Sequence, residues 1–185
     1  MRLARYYYKG ETKILEFPEL RQTYNYDCGA SALQSILIYY GYNVRESEIM
    51  KLAGTTEKDG TSIIGIRKVL SKYNLTSTIT DNMTIKDLIH NVDNGYPTMI
   101  AVQAYSETDT DYSGWDEGHW VLCIGYNNEE MFFEDPSDIM RTTLSYEELD
   151  RRWHDIDTDG TKLEHFGITI IGTPKYNYNE YERME

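Results

Sequence analysis

With 185 residues, 40% of them hydrophobic, and a net charge of −13, the chain is long enough to bury one core and too acidic to favour nucleic-acid phosphates or anionic membrane surfaces. No run of roughly eighteen or more apolar residues occurs, so no membrane span is expected, and the first ten residues lack the apolar centre of a secretory signal. Two cysteines and no signal point to a reduced, cytoplasmic setting; a Cys28–Cys123 disulfide in a secreted protein is the competing reading.

In chain order, residues 1–19 are expected to form an N-terminal hairpin or extension, with 3–8 pairing with 12–16 across Gly10-Glu11. Residues 20–173 are expected to form the main domain, and 174–185 a polar, mobile tail. Apolar residues at helical spacing predict a helix over 28–40, carried by Leu33, Ile36, Leu37 and Tyr40, and further helices over 46–53 and 61–73. Thr84 with Asp87 three residues on opens a helix over 84–93, and Ser145 with Glu148 opens one over 146–153. Strands are expected at 98–104, 119–126, 130–135 and 166–171, the middle two joined by the Asn127-Asn128 turn. Helices first and strands later, with the helices expected to gather on one side of an antiparallel sheet, make an α+β fold.

The chemistry concentrates in Gln22-Thr23-Tyr24-Asn25-Tyr26-Asp27-Cys28-Gly29-Ala30. It sets Cys28 at the start of the first predicted helix, where unpaired N–H groups and the positive dipole end favour a thiolate, so Cys28 is a candidate nucleophile. Gln22 precedes it by enough chain for the loop to fold back and bring an amide N–H beside the Cys28 N–H, two donors for an oxyanion. A nucleophile needs a base. His119 opens the strand Gly118-His119-Trp120-Val121, and Asp135 ends its expected hairpin partner Met131-Phe132-Phe133-Glu134-Asp135-Pro136. In an antiparallel pair the two lie at the same sheet end, so Asp135 can hold one imidazole nitrogen while the other faces the thiol. His90 sits in an apolar helix and His154 and His165 flank an acidic loop, which makes them weaker bases. Cys123 lies along the His119 strand at about 13 Å and reads as a core residue.

Two acidic loops raise a metal question. Asp155-Ile156-Asp157-Thr158-Asp159-Gly160 opens like a calcium loop, and Asp109-Thr110-Asp111-Tyr112-Ser113-Gly114 is a looser version, but Phe166 and Trp120 stand where the twelfth-position glutamate is required. Solvated acidic turns are the preferred reading, with no metal and no cofactor assigned.

Taken together, the Gln22…Asp27-Cys28-Gly29 block, Gly118-His119-Trp120-Val121 and Asp135-Pro136 resemble the C39-type cysteine peptidases, a branch of the papain-like fold, and the related stand-alone C39-like domains. Tyr40-Gly41-Tyr42, Gly60-Thr61-Ser62 and Tyr96-Pro97-Thr98-Met99-Ile100-Ala101 fit the same order over residues 20 to 172. The resemblance implies a papain-like α+β fold with N-terminal helices packed on a C-terminal antiparallel sheet. It further implies Gln22 in the oxyanion hole, Cys28 as nucleophile, His119 as general base and Asp135 as its orienting partner. Family members that head an exporter cleave leader peptides after a double glycine. With neither a span nor a Gly-rich phosphate loop here, a stand-alone hydrolase acting on a peptide or isopeptide amide is expected. The substrate is a peptide or protein, and the loop 105–117 with Gly114 as hinge is expected to border its groove. Acyl transfer by the same residues, and a silent peptide-binding module, are the alternatives.

Overall fold

A computed structural model describes residues 12–181 apart from 109 and 110, together with 183 and 184. Its elements in order are β1 (Lys13–Ile14), α1 (Cys28–Tyr39), α2 (Glu46–Ala53), α3 (Ile63–Lys72), β2 (Thr76–Thr80), α4 (Ile85–Asp93), β3 (Thr98–Gln103), β4 (Gly118–Tyr126), β5 (Glu130–Glu134), β6 (Thr142–Ser145), α5 (Tyr146–Arg152), β7 (His154–Ile156), β8 (Lys162–Glu164) and β9 (Gly167–Ile171). Seven strands form one antiparallel sheet in the order β2-β9-β3-β4-β5-β6, with β1 added beside β4. β7 and β8 form a separate two-stranded hairpin.

Alternation along the central strands decides which layer each residue joins. Met99 and Ala101 of β3 and Trp120, Leu122 and Ile124 of β4 pack with Leu33, Ile36 and Leu37 of α1 and with Ile66, Val69 and Leu70 of α3. Ile100, Val102, Val121 and Cys123 face the other way, onto Leu88 and Val92 of α4 and Leu149 of α5. The helices are therefore not all gathered on one side: α1 to α3 cover one face, while α4 and α5 cover the opposite one. All six residues of β3 are consequently buried.

Thr84 and Ser145 each accept from the N–H three residues on, while Asp87 and Glu148 return the bond, so both expected capping boxes form. β2, β6, β7 and β8 were not anticipated. β2 is a Thr-rich edge strand paired only with β9, so little apolar alternation marks it. At the N-terminus, Lys13 and Ile14 pair with Tyr126 and Gly125 of β4, and the other half of the expected hairpin, 3–8, lies outside the described residues. Of the expected tail, Lys175 and Tyr176 donate their N–H groups to the Tyr39 carbonyl and Tyr178 donates to Glu16. Among the described residues no helix is long and apolar enough to cross a membrane.

Candidate active site

α1 begins at Cys28, and the Asp27 carbonyl takes its first bonds, from Ala30 at 2.9 Å and Ser31 at 3.0 Å. The Asp27 side chain does not cap the helix. Instead its two oxygens accept from the Tyr24 N–H at 3.1 and 3.2 Å, closing the preceding loop onto the helix start. Burial pushes that carboxyl up, with the Tyr24 N–H opposing the shift. The helix start is pressed close to the sheet because Gly29 has no side chain: a Cβ there would lie 2.7 Å from Thr61 Cβ and 3.0 Å from Trp120 Cδ1. Trp120 is fixed in turn by donating from Nε1 to the Thr61 carbonyl at 3.1 Å. Both cysteines are free, which removes the disulfide reading; Cys28 is half-buried and Cys123 fully buried.

His119, the second residue of β4, is 6% exposed and donates from Nε2 to Asp135 Oδ1 at 2.7 Å. Nδ1 is thereby left for the thiol. Burial alone would lower the imidazole pKa, but the bond to Asp135 and then the interaction with Cys28 outweigh it and raise it to about 9. For Asp135 burial acts upward, and the His119, Tyr105 and Ser137 donors hold the carboxyl below its ordinary range. Its Oδ1 also accepts from the Ser137 N–H at 2.9 Å, and its Oδ2 from the Tyr105 hydroxyl at 2.5 Å and the Thr142 hydroxyl at 3.1 Å. A carboxylate with four donors stays ionised and stationary. Asp135 lies just beyond the end of β5, as expected for the shared sheet end.

Tyr105, Ser137 and Thr142 were missed from sequence. Tyr105 follows the buried β3 and stacks edge-on against His119, ring centroids 5.4 Å apart. Its φ of +62° is a left-handed conformation rare for a residue with a side chain, and such strain persists where surroundings enforce it. An aromatic at the start of the loop 105–117 was the signal available. Ser137 and Thr142 carry no signal of their own, since short hydroxyl residues after Asp-Pro read as turn residues.

Gln22 is half-buried. Its Oε1 accepts from the Ser137 hydroxyl at 3.0 Å, its N–H donates to the Pro136 carbonyl at 2.9 Å, and its Nε2 donates to the Tyr24 carbonyl at 2.6 Å. One of the two amide hydrogens is thus committed to Tyr24 and the other is left.

Cys28 opens on a cleft of about 500 Å³ lined by Tyr26, Glu57, Asp59, Trp115, Trp120 and Asp155, among others. A neighbouring pocket of about 260 Å³ is lined by His119, Asp135, Tyr105, Phe133 and Arg152. Gln22 lines neither. Burial pushes Asp155 up to about 6 despite the Ile156 N–H and Gln103 amide. In the acidic loop Asp157 accepts from the Ile63 N–H at 3.3 Å, at the start of α3, and Asp159 from the Thr161 N–H at 2.9 Å. All three carboxylates of the calcium-like run, Asp155 included through the Ile156 N–H at 2.8 Å, therefore accept from backbone donors. Among the described residues no group of three or more His, Cys, Asp or Glu side chains is gathered as a metal would require.

The family model for the Peptidase C39 family matches residues 16–157, most of the chain. The chain belongs to that family. A crystal structure of a C39-like peptidase from Bacillus anthracis shares the fold, with a TM-score of 0.68 at 16% identity over 89% of this chain and all of that one. The peptidase domain of Streptococcus ComA, a bi-functional ABC transporter involved in a quorum-sensing pathway, aligns with a TM-score of 0.61 at 21% identity over 87% and 99% of the two chains. A double glycine motif protease from an AMS/PCAT transporter, in complex with the leader peptide, aligns at 0.62 with 18% identity over 85% and 93%. In sequence, the pediocin PA-1 transport/processing ATP-binding protein PedD of Pediococcus acidilactici is 25% identical over 155 residues. That match spans 81% of this chain but only 18% of the larger protein.

Proposed function

We propose that this C39 domain is a cysteine peptidase that hydrolyses peptide amides, with peptide maturation as its role. The observation that carries the reading is one imidazole held through Nε2 by a buried carboxylate while the thiol at the first residue of α1 acts on the same ring. In this reading Cys28 attacks the scissile carbonyl as thiolate, and its backbone N–H with the free hydrogen of the Gln22 amide stabilises the oxyanion. Protonated His119 gives its proton to the leaving amine. Water, deprotonated by the then neutral ring, resolves the thioester. Asp135 holds the imidazole in the tautomer and orientation both steps need.

Maturation is favoured by the relatives: one solved neighbour holds a leader peptide and the curated relative is a processing protein. The reading is tested with an internally quenched peptide library that includes sequences with two consecutive glycines, given to the wild type and to Cys28→Ala side by side. Turnover by the wild type alone is expected. Identical product profiles from both proteins, or binding without cleavage by either, would refute the hydrolase.

A further inference from the structure

The proposed oxyanion amide and the proposed base come from distant parts of the chain, yet four consecutive residues, 134 to 137, hold both. Asp135 accepts from His119 at 2.7 Å. Pro136 accepts the Gln22 N–H at 2.9 Å. Ser137 bridges the two halves: its N–H donates to Asp135 Oδ1 at 2.9 Å and its hydroxyl to Gln22 Oε1 at 3.0 Å. Glu134, 2% exposed, places Oε1 2.7 Å from the Leu20 N–H and 3.2 Å from the Ser35 hydroxyl of α1, which ties the segment before Gln22 to the helix that carries Cys28.

Resting on the reading of Gln22 as oxyanion donor, we infer that Ser137 and Glu134 are positioning residues that hold the Gln22 amide in register with the His119–Asp135 pair. The chemistry at Ser137 is directional. Its hydroxyl donates, so the amide must present oxygen to it and aim nitrogen the other way, where one hydrogen meets Tyr24 and the second remains for an oxyanion. Without that hydroxyl the amide keeps only the Tyr24 bond to orient it, its oxygen loses its donor, and the nitrogen is held less firmly toward the oxyanion. Glu134 answers a different need. A buried carboxylate is costly in a strand, where an apolar side chain would pack at no such cost, unless it satisfies donors that nothing else reaches. Here those donors are the Leu20 N–H and the Ser35 hydroxyl.

The experiment is a double-mutant cycle on the full chain with the quenched peptide that the wild type cleaves fastest in the library, melting temperature being recorded for each variant. Ser137→Ala is expected to lower kcat roughly fivefold with KM nearly unchanged, the cost of one orienting hydrogen bond. In a Gln22→Ala background, itself lowered roughly a hundredfold, Ser137→Ala should cost nothing further. Glu134→Leu should behave like Ser137→Ala, and Glu134→Gln, which keeps an acceptor oxygen, should restore kcat. Should Glu134→Leu fail to fold, the Ser137 cycle decides alone. Equal losses from Ser137→Ala with and without Gln22, or no loss in the wild-type background, would overturn the positioning role while leaving the oxyanion reading intact. A Gln22→Ala enzyme as fast as wild type would remove the oxyanion reading and this inference together.

Discussion

Two thiols in one chain provide an internal control on reactivity. Cys28 is half-buried at a cleft beside an imidazole, whereas Cys123 is fully buried in β4 and burial pushes its thiol far up. Brief iodoacetamide treatment near pH 6 is expected to label Cys28 at least about tenfold over Cys123, read by peptide mass spectrometry. Equal labelling would contradict the assignment of the nucleophile. His119 supplies a pH signature. Its folded pKa is raised to about 9 from an ordinary 6.5, so the charged ring stabilises the fold fully below pH 6.5 and loses that contribution as pH rises through 9. The leaving amine needs the same proton. Turnover should therefore fall on an alkaline limb near pH 9, and in Asp135→Asn that limb should move toward neutral pH while kcat falls less than in Cys28→Ala. A pH–rate profile with an unmoved limb would dissociate Asp135 from the base. At this scale the places of three residues were legible: Cys28 at a helix start from the apolar spacing behind it, and His119 and Asp135 at one sheet end because they open and close a hairpin pair, whereas Gln22 sits in a loop whose course no periodicity fixes. Ser137, Thr142 and Tyr105 were not legible, because the Tyr105 and Thr142 hydroxyls and the Ser137 N–H come to Asp135 only once the chain has folded, which no local pattern announces.

At the scale of elements, the close approach of α1 to the sheet depends on a single missing side chain. Gly29→Ala would press a methyl into Thr61 and Trp120, neither of which can yield without disturbing the Trp120–Thr61 bond. A loss of about 1–3 kcal/mol is expected, seen as a melting temperature several degrees lower, with turnover reduced because Cys28 is carried by the displaced turn. An unchanged melting temperature would show that the packing is looser than the geometry states. The five helices were readable from apolar spacing and caps, and the four central strands from buried runs. β2 and β6 escaped because edge strands bear few apolar residues, and β7 and β8 because Asp-rich sequence around a short hairpin imitates a metal loop. Which face each helix covers was equally hidden: the alternation of β3 and β4 is apolar on both sides, so it shows that both faces are covered without saying by which helix.

Across the whole molecule, a net charge of −13 sets how substrates arrive. The Cys28 cleft carries the same sign, since Glu57, Asp59, Asp116, Asp155 and Asp157 line it against one lysine, Lys58. Peptides with basic flanks should show kcat/KM about tenfold above acidic counterparts of the same cleavage sequence at low salt. The gap should narrow as ionic strength rises and the Debye length shortens. A salt-independent ratio would mean that contacts rather than the field discriminate.

All of these readings converge on a covalent bond at Cys28. Rapid acid quenching of the enzyme during turnover of a cleaved peptide, followed by digestion and mass spectrometry, looks for that bond directly. The expected result is an acyl group on the peptide containing Cys28, labile to hydroxylamine, absent from Cys28→Ala and more abundant when deacylation is slowed. An acyl group on Cys123, or continued cleavage by Cys28→Ala with no adduct anywhere, would contradict it.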